Sequence, residues 1–264
     1  MKIVVCVKQT PSTTAVFSVD NGVVSWDDPG GKPVVLNPWD EYTVEEAIRL
    51  QEAHGGDTIA LTMGPEESQD ALKTCLAMGC SEAILISDAD FASTDTLGTA
   101  HVLAAAIRKA GDVQVAFFGK QAIDGDTGQT TVQTAQKLGW TPLTFVSHIK
   151  EIDPAAGTIT VVRQVEEGKE TVQATLPVVI SVVKEINEPR YPSFMGIRKA
   201  NRAQIPVWTA ADLELDGGLG EAKADWHGVS ALPARDTSVE IITADSVQEQ
   251  AKILVDRLFE EKVI

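Results

Sequence analysis

Short apolar runs alternate with amphipathic stretches from residue 2 to residue 138, and few folds accommodate that alternation. KIVVCV (2–7), DTIALTM (57–63), EAILI (82–86) and VQVAFF (113–118) have strand length and are apolar almost throughout, as strands buried on both faces are. Residues 40–52, 66–78, 95–109 and 127–138 instead space their apolar residues for helices. Val44, Ala47 and Ile48 fall on one side of the first, and Ala71, Leu72, Cys75 and Leu76 on one side of the second. Breakers such as Gly64-Pro65 separate the two kinds of segment. Strands alternating with helices of 12–15 residues predict βαβ units, right-handed crossovers and a Rossmann-like α/β fold with a mostly parallel sheet. A chain of 264 residues has room for one large α/β domain with appendages, or two small domains.

Near residue 140 the pattern changes. Residues 145–149, 158–164, 170–174 and 178–183 read as strands with no helix between them, punctuated by Asp153-Pro154 and Gly168. They are expected to extend the same sheet in antiparallel fashion. Residues 187–237 show little regular pattern, with Pro189, Pro192, Pro206, Pro233 and the cluster Gly217-Gly218-Leu219-Gly220. So long an irregular stretch is unusual within a compact domain and reads as an arm lying on another surface. A closing helix over 246–262 carries an apolar stripe of Val247, Ala251, Leu254, Val255, Leu258 and Phe259, which needs cover from its own sheet or a partner chain. The expected organisation is an α/β domain over 1–186, an arm over 187–237 and a terminal helical segment over 238–264.

Charge and composition exclude several classes of partner. A net charge of −16 opposes binding to nucleic acid or to anionic lipid, which both need a basic face. No run approaches the roughly 20 apolar residues of a membrane helix. The opening MKIVVCVKQT is too short for a signal peptide, so a cytoplasmic protein without membrane insertion is expected. Cys6, Cys75 and Cys80 form no CxxC pair and no metal-ligand spacing, and read as reduced, buried thiols. His54, His101, His148 and His227 are scattered and read as structural or exposed.

Ligands of open parallel sheets sit at the carboxyl ends of strands, beside helix amino ends. Three stretches fall there: 8–11, Met63-Gly64-Pro65 and GKQAIDGDTGQTT at 119–131. The last has Gly119, Gly125 and Gly128 for tight turns and leads through Thr127–Thr131 into a helix. It suits either a phosphate at that helix amino end or a polar loop with a threonine cap. Neither GxxxxGK[ST] nor GxGxxG occurs. In Asn37-Pro38-Trp39-Asp40-Glu41, Asn37 suits a helix cap and Pro38 the first helical position, while Trp39 suggests a flat ligand or protein surface nearby. Residues 189–211 contain no acidic side chain in this acidic protein. There Arg190, Arg198, Lys199 and Arg202 interleave with Tyr191, Phe194, Met195 and Ile197, the mixture of a protein-docking loop.

Five stretches, in order along nearly the whole chain, resemble β subunits of electron transfer flavoproteins: MKIVVCVKQTP, LNPWDEYTVEEAIRLQE (36–52), TMGPEESQDALKTCLAMGCSEAILISD (62–88), GKQAIDGDTGQ (119–129) and NEPRYPSFMGIRKA (187–200). The resemblance implies a universal-stress-protein-like nucleotide fold that buries AMP and pairs with an α subunit carrying the redox-active FAD. It implies an electron carrier with no catalytic residue of its own in this chain. It further implies that electrons pass from acyl-CoA dehydrogenases of fatty acid β-oxidation toward a quinone oxidoreductase. Carried over by position, Cys6, Asn37, Met63 and Ala122 would form the adenine pocket, and Gly125, Asp126, Thr127, Gly128, Gln129 and Thr130 the phosphate loop. Trp39 matches an aromatic residue that approaches the partner's flavin. Phe194 stands where the docking loop usually has a leucine anchor. GDTGQ also resembles the bifurcating branch, whose β subunit holds a second FAD instead of AMP, whereas Thr131-Val132 departs from the Gly-Pro pair usual in that branch and NEPRYPSF resembles the AMP branch. A universal-stress-type regulator would share the core but needs neither the arm nor the final helix.

Overall fold

The computed structural model describes residues 1–264 apart from 93, 216, 220, 225–227, 232 and 234–237, so Gly220 and His227 lie outside the described residues. The chain divides into two compact units, Met1–Val229 and Ser230–Ile264. In chain order the strands are β1 (Lys2–Cys6), β2 (Gln9–Pro11), β3 (Val16–Asp20), β4 (Val23–Asp27), β5 (Val34–Leu36), β6 (Asp57–Met63), β7 (Glu82–Ile86), β8 (Val113–Gly119), β9 (Thr141–Asp153), β10 (Thr158–Val165), β11 (Gly168–Thr175), β12 (Val178–Val182) and β13 (Val207–Trp208). The helices are α1 (Pro38–His54), α2 (Gln69–Met78), α3 (Thr96–Ala110), α4 (Thr130–Leu138), α5 (Phe194–Ala200) and α6 (Val247–Glu260).

The main sheet runs β11-β10-β9-β12-β8-β1-β6-β7-β13. At its centre β1 pairs in parallel with β6 and β8, and β6 with β7, as the alternation predicts. Along β1 the side chains alternate between two cores. Ile3 and Val5 join residues of α1 and α2 on one face, and Val4 and Cys6 join residues of α3 and α4 on the other. Each fully enclosed side chain, such as Leu61 or Phe117, contributes roughly 1.5–3 kcal/mol by leaving water. The chain leaves β1 for β6 and β7, then returns through α3 to place β8 on the other flank of β1. The strand order therefore reverses between β1 and β8, opening the crevice where ligands of such sheets bind.

Three features differ from the expectations. The stretch 178–183 is not part of an antiparallel extension: β12 lies between β8 and β9 and runs parallel to both. Each of its five residues, VVISV, is buried, and a run so largely apolar belongs in a parallel interior, where the one polar side chain, Ser181, accepts a hydrogen bond from the Phe145 amide at 3.1 Å. Among the described residues, antiparallel pairing in the main sheet is confined to β9, β10 and β11. Within 187–237, α5 packs on α2, and β13 adds to the edge of the sheet beside β7. Gly196 allows the α5 contact, because a Cβ there would collide with the Ala77 carbonyl oxygen. Between residues 9 and 36 the fold adds four short strands that apolar periodicity does not announce. The β3–β4 hairpin turns on Asn21 (φ 49°) and Gly22 (φ 78°), the left-handed pair a two-residue hairpin requires. Both of its faces remain exposed at Val16, Phe17, Val23 and Trp26, which leaves no one-sided alternation to read.

In the second unit Ser246 caps α6, its Oγ accepting from the Glu249 amide at 3.2 Å. No residue of α6 is buried, and Val247, Leu254, Val255 and Phe259 are exposed. Among the described residues no helix is long and apolar enough to cross a membrane.

Candidate functional site

A cavity of about 330 Å³ opens at the carboxyl ends of β1, β6 and β8, within the range of small-molecule sites. Cys6, Asn37, Met63, Ala122, Gly125, Asp126, Thr127, Gly128, Gln129 and Thr130 all line it. A larger, open depression of about 630 Å³ lies at the opposite strand ends, around Gly56 and Asp112. These residues directly follow the carboxyl ends of α1 and α3, where helix carbonyls disfavour an anion. The smaller cavity is therefore the better ligand site.

Asn37 occupies the cap position of α1 but makes no capping bond with its side chain. It is 1% exposed and faces the 119–131 loop instead. Its Nδ2 donates to the Gln121 carbonyl at 3.0 Å, and its Oδ1 accepts from the Ile123 amide at 3.3 Å. Next to it Asp40 ties three segments together. Its Oδ2 accepts from the Lys8 amide at 2.7 Å, and the carboxylate also accepts from the Gly119 amide and the Asn37 side chain. Burial outweighs these bonds and pushes the Asp40 carboxyl up to about 7. Burial, and next the charge of Asp40, push the Cys6 thiol well above its ordinary range, so Cys6 serves as an apolar wall rather than a nucleophile. Lys8 Nζ pairs with Asp124 at 2.7 Å and offsets one carboxylate at the rim.

The loop holds its shape through its own bonds. The Asp126 amide donates to the Ala122 carbonyl at 2.9 Å, and Gln121 Nε2 donates to Asp126 Oδ1 at 2.7 Å. Asp126 (φ 49°) and Gly128 (φ 60°) are left-handed, which stops a helix from forming there. The helix expected from Thr127 consequently begins at Thr130, with Gln129 rather than a threonine at the cap position.

Besides the α1 end, where Asp40 already stands in the first turn, two helix amino ends meet at the cavity and differ in character. At α3, Asp95 Oδ1 accepts from the Gly98 amide at 2.9 Å and Oδ2 from the Lys223 amide at 2.7 Å, so a carboxylate already occupies that end. The α4 end has no side-chain cap bond and no acidic residue in its first turn. Of these two ends, α4 is therefore the more favourable to an anionic group. Gln129 Oε1 accepts from Thr96 Oγ1 at 3.1 Å and links the two ends, while Gln133 Oε1 is buried without a hydrogen-bond partner among the described residues. Thr94, Asp95, Thr96 and Thr99 line the cavity but were not among the residues expected from the sequence. The available signal was positional: the helix after β7 starts at the same sheet edge as the other three stretches.

Trp39 does not line the cavity. It is half-buried beside it, with Lys120 Nζ 5.3 Å from its ring centroid and 5.9 Å from that of Phe145. The residues expected to dock a partner lie elsewhere again, on α5 and its approach. Tyr191, Phe194 and Met195 are 96%, 84% and 70% exposed, and Ile197, Arg198 and Lys199 are exposed beside them. Arg190 differs from this group, because its guanidinium is engaged by Glu45 (2.7 Å) and Glu52 (2.6 Å) of α1.

Comparison with known proteins agrees across the chain. The family profile described as electron transfer flavoprotein domain matches residues 28–213. The caffeyl-CoA reductase-Etf complex subunit CarD of Acetobacterium woodii is 38% identical over 269 residues, covering all of both chains. An electron transfer flavoprotein subunit beta of Thermoanaerobacterium thermosaccharolyticum is 38% identical over 267 residues, again covering all of both. Protein FixA of Azorhizobium caulinodans is 38% identical over 262 residues, covering 97% of this chain and 89% of its own.

Proposed function

This chain belongs to the electron transfer flavoprotein family, among its β subunits, and from that premise we propose that it binds AMP and pairs with an FAD-bearing α subunit as an electron carrier. The observation that carries this reading is the meeting of ten residues, from four separate stretches of sequence, in one cavity with an uncapped helix amino end. Cys6 and Met63 supply apolar wall for a base, Asn37 pins the loop, and Gln129 and Thr130 with the first amides of α4 receive the phosphate. The flavin, bound on the α subunit, supplies the redox chemistry. This chain closes the adenine nucleotide site and docks partners. The exposed stripe of α6 supports contact with the α subunit, and the exposed Tyr191, Phe194, Met195 and Ile197 with Arg198 and Lys199 support docking of an acyl-CoA dehydrogenase-type donor. The acceptor is of quinone oxidoreductase type and the setting cytoplasmic.

A cavity volume near the lower end of small-molecule sites supports a mononucleotide. A second FAD is the other reading, favoured by GDTGQ and by the exposure of residues 124–129, which leaves the loop side open to a longer ligand. The test is to denature the purified heterodimer and quantify what is released. One AMP and one FAD are expected, and Gln129→Ala with Thr130→Ala should lose AMP while retaining FAD. Two FAD and no AMP support bifurcation. Release of no adenine nucleotide other than one FAD refutes a nucleotide site in this chain.

A further inference from the structure

The segment 187–200 is fastened at two places, and its most exposed side chains lie between them. On the α1 side, Asn187 Nδ2 donates to the Tyr42 carbonyl (2.9 Å) and to Glu46 Oε2 (3.0 Å), and an Arg49 guanidinium nitrogen donates to the Glu188 carbonyl (3.3 Å). Arg190 is the centre of this attachment. Its backbone amide and Nε both donate to Glu45 Oε2, at 3.2 and 2.7 Å. One terminal nitrogen donates to Glu52 Oε1 at 2.6 Å, and the other bridges Glu45 Oε1 (3.2 Å) and Glu52 Oε2 (3.1 Å). The Glu45 side chain is only 3% exposed, so this half of the clasp is shielded from solvent. On the α2 side, Ser193 caps α5 with a 2.9 Å bond from the Gly196 amide, Gly196 rests on the Ala77 carbonyl, and Ala200 is buried. Tyr191, Phe194 and Met195 stand out from the stretch between.

We propose that Arg190 is a positioning residue whose clasp on Glu45 and Glu52 orders the 191–197 ridge before a protein partner arrives, rather than a residue that contacts the partner. The inference rests on the docking reading above. Both prongs of the guanidinium are used by α1, so little of its hydrogen-bonding capacity remains for a second protein. Preorganisation of this kind strengthens association because the ordering of the ridge need not be supplied at the moment of docking.

The test uses the intact heterodimer and its donor dehydrogenase, with Arg190→Ala, Glu52→Gln and Phe194→Ala. Glu52→Gln is included because it opens the outer half of the clasp without stranding the buried Glu45. Amide hydrogen exchange over 187–200 should quicken in Arg190→Ala and, to a lesser degree, in Glu52→Gln. KM for the heterodimer as electron acceptor should rise about tenfold in Arg190→Ala, with kcat changed less than about twofold, as when the ordering of two or three side chains is returned to the binding step. Phe194→Ala should raise KM without quickening exchange. Unchanged exchange in both clasp variants overturns the proposal, because the clasp then does not hold the segment. Faster exchange with an unmoved KM, while Phe194→Ala still raises KM, overturns it as well and leaves the docking reading intact. If Phe194→Ala and Arg190→Ala both leave KM unmoved, the docking reading fails and takes the proposal with it.

Discussion

Asn37→Asp separates two roles for one side chain. The exchange is nearly isosteric, and asparagine and aspartate cap helices about equally well, so a capping residue would tolerate it. As a staple between α1 and the 119–131 loop it would not. The Nδ2 that donates to the Gln121 carbonyl at 3.0 Å becomes an oxygen, leaving a part-buried carbonyl without its donor at a cost of about 1–3 kcal/mol. The introduced carboxylate also sits 1% exposed beside the buried Asp40, whose charge disfavours a second one there. A combined loss of about 2–4 kcal/mol is expected at pH 8, a drop in Tm of roughly 4–16 °C for a chain of this size. The loss should shrink at pH 5, where the new carboxyl takes up a proton and can donate to Gln121. Thermal melting of the heterodimer at both pH values, with bound nucleotide quantified in parallel, provides the assay. A variant that melts within about a degree of the parent at both pH values, and keeps its nucleotide, would falsify the staple.

Two further outcomes follow from the same geometry. Burial holds the Asp40 carboxyl up near 7, so the folded chain retains a proton that an unfolded aspartate releases near pH 4; stability should fall as pH rises between those values, by at most about 1.4 kcal/mol per pH unit. Glu41 and Glu46 are also pushed up by burial and act in the same direction, whereas Glu45 and Glu52, held down by Arg190 against desolvation, lose their contribution only as pH falls below the usual glutamate range. A melting series from pH 5 to 7.5 checks the slope, which should flatten in Asp40→Asn. Gly196→Ala should lift α5 from α2 at an overpacking cost of about 1–3 kcal/mol and raise proteolysis within 187–200. Cleavage at the parent rate would mean that α5 accommodates the methyl group.

The parallel core and its ligand edge were legible from residue order alone. An apolar run such as KIVVCV demands cover on both faces, and helical spacing in 40–52 or 95–109 supplies it; both patterns are local. The loops 63–65 and 119–131 were legible as cavity lining too, because a parallel sheet sends such loops to the same edge, although 94–99 at that same edge was overlooked. Tertiary structure decided what each side chain does there. Asn37 has the composition of a cap, yet its partner is a carbonyl 84 residues away. Arg190 has the look of a docking residue, yet its partners stand 145 and 138 residues back, on α1. VVISV could have joined the strands around it in antiparallel order, but its apolar side chains on both faces needed burial, and the gap between β8 and β9 provided that. Periodicity records whether a side chain is covered, a property of its immediate neighbours in sequence. The covering group and the hydrogen-bond partner come from distant chain, and only the packed structure brings them within reach.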